Sequence, residues 1–131
     1  MIDCEVKIFN RVYGRVAKYF AKERFVSTPI TKKPTAFPAG CLMEISNTTV
    51  RDAQSSTPVE NRARIMYQLE VFATTKAKCR EVYAAVDSEM IAMNFTRTGG
   101  DYAPDLDNVD VARYVARYVA EVDREGNLYR A

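Results

Sequence analysis

The sequence predicts an α+β domain: two helices packed on one face of a mixed, mostly antiparallel sheet of about five strands. Three observations carry this. Apolar residues recur at helical spacing over residues 3–23 and again over 76–93. Apolar and polar residues alternate without a break over 62–74. The elements follow in the order helix, three strands, helix, two strands, with no shift of composition between them. All 131 residues are expected to form one domain, residues 1–131, with a projecting loop at about 47–61 and a short C-terminal tail from about 123.

The first element is read from Ile2, Val6, Phe9, Tyr13, Val16 and Phe20, which fall on one stripe at 100° per residue and predict an amphipathic helix over about 3–23. Gly14 inside it costs about 1 kcal/mol relative to alanine, which a buried face outweighs. The opposite stripe carries Lys7, Arg11, Arg15, Lys18 and Lys22, so one side is apolar and the other basic. Residues 25–28 form a short strand before Pro29, and the prolines at 34 and 38 keep the connection that follows out of a helix. Residues 41–46 are a second strand. The stretch 47–61 is polar throughout and long for a structureless loop, so it is read as a projecting arm or a segment that a partner orders.

Over 62–74, Ala63, Ile65, Tyr67, Leu69 and Val71 alternate with Arg64, Met66, Gln68, Glu70 and Phe72. This is the clearest strand. Helical spacing returns through Cys79, Val82, Val86, Met90 and Met93, with Asn94 as the stop. Residues 95–102 form a weaker strand through Gly99 and Gly100. The repeat Ala112-Arg113-Tyr114-Val115, Ala116-Arg117-Tyr118-Val119 fits helix or strand, since residues four apart share a face in both, and alternating Val and Tyr favour a strand over about 111–122.

Composition excludes several functions. The chain has no histidine, which removes the Ser-His-Asp and Cys-His devices, HExxH zinc sites and the usual general base near neutral pH. Cys4, Cys41 and Cys79 are an odd number with no CxxC, and with no secretory apolar segment at the start they read as reduced cytosolic thiols, which leaves the sequons at Asn47 and Asn94 as chance matches. No apolar run reaches the roughly 20 residues of a membrane span. The net charge of +2 conceals a polarity: residues 1–40 hold eight Lys/Arg against three Asp/Glu, and the remainder eleven against fourteen.

The individual motifs are weak as chemistry. Asp105-x-Asp107 within the cluster Asp101, Asp105, Asp107 and Asp110 departs from a calcium loop, with Val109, Asp110 and Ala116 at the fifth, sixth and twelfth places. Gly99-Gly100 lacks the remainder of any nucleotide-binding pattern and reads as a turn or bulge. Arg113, Tyr114, Arg117 and Tyr118 resemble a stacking platform for nucleic acid, but a strand sends both arginines to one face and both tyrosines to the other. The expectation is no enzyme, no cofactor and no metal. A solvated basic helix face remains the best signal for a partner.

The segment Lys33-Pro34-Thr35-Ala36-Phe37-Pro38-Ala39 with the strand to Glu44, the strand from Glu60-Asn61 to Phe72, the helix ending Met90-Ile91-Ala92-Met93-Asn94-Phe95-Thr96-Arg97, and the closing run Val111 to Tyr118 together resemble the tail terminator, or tail completion, proteins of long-tailed bacteriophages and prophages. The similarity spans about residues 5–122. It implies a small α+β structural protein of the virion at the tail–neck junction, assembled in the host cytoplasm. Such proteins form a hexameric ring that caps the tail tube, ends its polymerisation and docks the head connector. Its implied partners are its own copies, the tail tube protein and the connector or stopper protein. DNA passes through the lumen without specific binding, and no cofactor or membrane is involved.

A ring needs two different patches of one chain that meet head to tail. Lys7, Arg11, Arg15, Lys18 and Lys22 facing Asp105, Asp107 and Asp110 of a neighbour form such a pair, and Thr49, Val50, Arg51 and Gln54 in the long loop are the expected contact with the tail tube or a neighbour. Two alternatives stay open: another head–tail neck or completion protein, and a small nucleic-acid-binding module that uses the basic face of helix 3–23.

Overall fold

The computed structural model describes residues 2–30, 34, 36–50, 62–102 and 111–131. The predicted α+β class is what these residues form: two helices on one face of a curled, mixed sheet. The helices are α1 (Glu5–Val16) and α2 (Lys76–Ala92). The strands are β1 (Phe25–Val26), β2 (Ala39–Thr49), β3 (Arg62–Ala73), β4 (Thr96–Tyr102), β5 (Ala112–Asp123) and β6 (Leu128–Tyr129). Their spatial order is β1-β2-β3-β5-β4, with β1 parallel to β2 and every other pairing antiparallel. The two-residue β6 adds to the end of β5, in line with β4, so residues beyond 123 continue the sheet.

Register explains the burial. Tyr67 lies opposite Glu44 on one side and Tyr118 on the other, and Leu69 opposite Leu42 and Ala116, so one sheet face presents Ile65, Tyr67, Leu69, Val71, Leu42 and Tyr118 to the helices. These side chains, with Phe95 and Met90, are fully buried. The alternation over 62–74 thus resolves as predicted, and the 112–119 repeat is a strand. Tyr114 and Tyr118 face α2, while Arg113 and Arg117 occupy the helix-free face beside Glu70 and Gln68.

Helix α2 starts on Thr75, whose hydroxyl accepts a hydrogen bond from the Lys78 N–H at 3.2 Å. It ends where Asn94 takes a left-handed φ of 72°, the backbone state that asparagine tolerates best after glycine. It buries Cys79, Val82, Tyr83, Val86 and Met90. The Gly99 region is a bulge, as expected: the β4–β5 register shifts between Arg97 and Gly99.

The first helix corrects the prediction twice. It runs over Glu5–Val16 and one 3-10 turn, Ala17–Tyr19, and does not reach residue 23. Phe20 turns extended and packs into the core, the Ala21 N–H donates to the Pro38 carbonyl and the Gly40 N–H to the Arg24 carbonyl, so tertiary pairing of β1 with β2 overrides the helical pattern. The buried stripe is also rotated. Ile8, Val12 and Val16, four residues apart, face the core, whereas Val6 is 73% exposed and Tyr13 39%. Phe9 and Tyr13 instead stack on Phe25 at the margin of the sheet, with ring centroids 5.3 and 6.3 Å away.

The polar stretch from 47 is corrected as well. Strand β2 continues through Thr49, pairing Thr48 with Arg64 and Thr49 with Ala63, after a bulge between Glu44 and Ser46 that leaves Ile45 exposed. Residues 51–61 lie outside the described residues.

Candidate assembly surface

Helix α1 lies along one side of the helical layer, against α2 and β2. Its Ile8–Val12–Val16 stripe faces inward, so the positions on either side of that stripe are fixed by the 100° step. On one side lie Lys7, Arg11 and Arg15, all exposed. On the other lie Phe9, Tyr13 and Val6. Arg15 reaches Glu89 of α2 at 3.9 Å with 69% of its side chain still exposed, a geometry worth well under about 1 kcal/mol. Lys7 stands near the β5–β6 turn, where a Cβ added to Gly126 would sit 3.1 Å from its Nζ.

Lys18 belongs to the 3-10 turn and sits over the Tyr19 ring at 5.3 Å. Lys22 follows the turn and is not on the helix. Both nevertheless remain exposed at the same end of α1. The structure therefore keeps Lys7, Arg11 and Arg15 as a helical stripe and places Lys18 and Lys22 beyond it as a separate basic rim. Asp105, Asp107 and Asp110 lie outside the described residues, as do Arg51 and Gln54. Of the expected loop contacts, Thr49 ends β2 and Val50 closes it, its N–H donating to the Arg62 carbonyl at 3.0 Å.

Two polar networks escaped sequence reasoning because they join different elements far apart in the chain. Asp87 of α2 accepts from Tyr118 at 2.6 Å and from Tyr83 at 3.2 Å, and Arg97 of β4 donates to the Tyr83 hydroxyl at 2.7 Å. Burial, with the Asp87 hydrogen bond next, drives the Tyr118 hydroxyl far above its ordinary pKa. This network ties β4 and β5 to α2. On the helix-free face Glu70, a buried carboxylate, accepts from Arg113 and from the Cys41 thiol at 3.4 Å. Each arrangement gives its carboxylate two side-chain donors.

The titratable groups offer little reactivity. Burial, reinforced by Glu70, pushes the Cys41 thiol up to about 12, and burial pushes Cys79 up to about 11. Cys4 is raised too, by burial and then by Glu44. Glu44 is raised by burial and next by Glu5 and Asp3. Among the described residues no group of three or more Asp, Glu, Cys or His side chains is placed to hold a metal ion, and no helix is long and apolar enough to cross a membrane.

The signal for the exposed apolar flank was present in the chain. Ile8, Val12 and Val16 form a β-branched i, i+4 series that competes with the Val6–Phe9–Tyr13 series for the core, and only one of the two can face it. Searches against family models and curated proteins found no match for the chain.

Proposed function

We propose that this chain is a structural, ring-forming phage protein of the tail terminator type, which caps the tail tube and presents a docking surface to the head connector. The observation that carries the reading is α1: a helix with an exposed cationic stripe of Lys7, Arg11 and Arg15 and an exposed apolar flank of Val6 and Tyr13. An apolar patch rimmed by charge is the composition of a protein interface. Because the patch belongs to one end of an asymmetric fold, a copy that docks on it with a different surface builds a head-to-tail series, which closes into a ring when the rotation allows.

The test is the mass of the purified chain by sedimentation together with negative-stain images. Rings are expected, and the Arg11→Glu, Arg15→Glu double variant is expected to shift the population toward monomer and to flatten its salt dependence. Assembly indifferent to both changes would remove α1 from the interface, and small particles at every concentration would count against the ring itself.

The same cationic stripe supports one second reading, a nucleic-acid-binding module. That reading requires affinity for a DNA duplex that falls steeply between two salt concentrations. A ring-forming chain without such affinity excludes it.

A further inference from the structure

The sheet ends in two open margins. At one, β4 pairs with β5 alone, and residues 96–101 are exposed. At the other, β1 covers β2 only at Gly40 and Cys41, and among the described residues no strand lies beside 42–48 on that side. Strands β2 and β4 run antiparallel to one another, three antiparallel pairings apart, so a second copy in the same orientation can lay its β4 along β2 with the alternation unbroken. The lengths agree as well. In β2, residues 42–44 and 46–48 form ladder rows around a bulge at Ile45; in β4, residues 96, 97 and 99–102 form as many rows around a bulge at Thr98.

The β2 margin also holds acceptors that want a donor. Tyr67 is fully buried opposite Glu44, and its hydroxyl makes no hydrogen bond among the described residues. Asn47, on the same face, donates its Nδ2 to the Ile2 carbonyl at 2.7 Å and leaves its buried Oδ1 equally unpartnered. That bond brings the start of the chain to this margin, with Asp3 and Glu5; burial first, and then the charges of Glu5 and Asp3, raise the Glu44 carboxyl. None of the ion pairs among the described residues involves these three carboxylates. Buried polar atoms without partners need explaining, and a planar cation with several N–H donors would satisfy this set.

We propose that the two margins join copies of this chain head to tail, β4 of one copy pairing with residues 42–48 of the next from Thr96 opposite Thr48 to Tyr102 opposite Leu42, with the Arg97 guanidinium entering the pocket of Glu44, Asn47 and Tyr67. The proposal rests on the ring-forming reading and names its joint. In this register Arg97 stands opposite Asn47, both on the helix-covered face, and Gly100 stands opposite Glu44 with no side chain to crowd the carboxylate. Arg97 is the one cation in β4, its side chain 47% exposed, and its contacts to the Tyr83 hydroxyl and to Asp87 are both made by Nη1, which leaves the rest of the fork for a second set of acceptors. Pairing of β4 with its own copy about a two-fold axis would leave the orphaned oxygens of the other margin unserved. Tyr13, stacked on Phe25 of β1, is exposed at that other margin, so the joint and the α1 surface belong to one interface.

The test uses the full-length chain as Thr48→Cys and as Thr96→Cys, both exposed positions, with the unaltered chain as the control for its own thiols. A short bismaleimide should link the two variants when they are mixed, neither alone beyond the control, and the chain carrying both changes into a ladder. By sedimentation, Arg97→Glu should weaken self-association at least about tenfold, and Glu44→Arg added to it should recover part of the loss. Glu44→Gln, which leaves the Tyr83 and Asp87 contacts of Arg97 in place, should weaken association with an unaltered circular dichroism melt. Linkage of Thr96→Cys to itself, or rings that survive Arg97→Glu without any Thr48 to Thr96 linkage, overturns the joint and leaves the ring reading standing. A linked ladder with no closed rings in negative-stain images supports the joint and counts against the ring. A chain that is monomeric at every concentration and never links overturns both. A melt raised by Ca²⁺ in the unaltered chain and not in Glu44→Gln would assign the pocket to a metal ion and overturn the place given to Arg97.

Discussion

Replacing Arg113 by methionine isolates the helix-free face. Glu70 is among the most buried charged groups described, at 6% exposure, and its carboxylate is held by the Arg113 guanidinium and the weak thiol donor of Cys41. Methionine keeps an unbranched side chain but removes the guanidinium, which also stands 5.9 Å from the centre of the Phe72 ring, and leaves the carboxylate with the thiol alone. Breaking a buried pair from one side costs about 3–5 kcal/mol, and the lower end applies because nearly a third of the Arg113 side chain, 31%, is exposed. With an unfolding entropy of roughly 2.1 cal/mol/K per residue over 131 residues, a loss of about 3 kcal/mol lowers Tm by about 11 °C.

The partner experiment replaces both residues, Glu70→Leu with Arg113→Met, which removes the charge as well as its counter-ion. That double variant is expected within about 1 kcal/mol of the original chain, because a buried ion pair contributes little over apolar groups of similar volume. Denaturant melts at pH 7, at a protein concentration low enough that assembly does not add to the apparent stability, give both numbers. The reasoning is refuted if Arg113→Met costs under 1 kcal/mol, or if the double variant loses as much as the two single changes added together.

Gly40→Ala places a Cβ 2.7 Å from Phe20 Cε1 and 2.8 Å from the Glu70 carbonyl oxygen, and since that oxygen belongs to a central strand the variant should lose about 3 kcal/mol in a urea melt. Gly14→Ala meets nothing within 4 Å on an exposed helix surface, so it should raise stability by about 1 kcal/mol. Iodoacetamide at pH 8 should modify Cys4 slowly and leave Cys41 and Cys79 untouched until denaturant is added, as counted by intact mass, because burial holds the latter two near 12 and 11. The Asp123 carboxylate, held below its ordinary value of 3.8 chiefly by the Asn127 N–H, favours the turn above that pH and releases it as the pH falls through the lowered value; amide shifts of Glu125 and Asn127 should follow that release in NMR spectra.

What the chain discloses in advance follows the range of the interaction involved. The strand over 62–74 and helix α2 were legible because each buries one face along its whole length, so period and burial coincide. Helix α1 was legible as a helix but not in its limits or its orientation. Its end is set by pairings with Pro38 and Gly40, nearly 20 residues away, and its inward face by competition between two apolar series. The same applies to the surface. Lys7, Arg11 and Arg15 share a stripe because local geometry requires it, whereas Lys18 and Lys22 are set apart by a turn that tertiary packing imposes. Apart from Tyr83 and Asp87, four residues apart on α2, the hydrogen bonds of the Asp87 and Glu70 networks join residues 14 to 43 apart and left no mark in any local pattern.

The order of the strands dictates an order of events. Strand β5 is an inner strand of the sheet, between β3 and β4, yet it follows both in the chain. During synthesis β3 therefore waits with one edge open while α2 and β4 emerge, and β4 has no strand to pair with until β5 inserts beside it. The closing register, Ala73 opposite Ala112 at one end and Arg62 opposite Asp123 at the other, joins residues 39 and 61 positions apart, so it forms only after a long loop has closed. A ribosome that stalls before residue 112 would release a chain with an uncovered apolar strand, open to pairing with other nascent copies. The last long strand to be made is thus the one that turns an adhesive fragment into a self-contained fold.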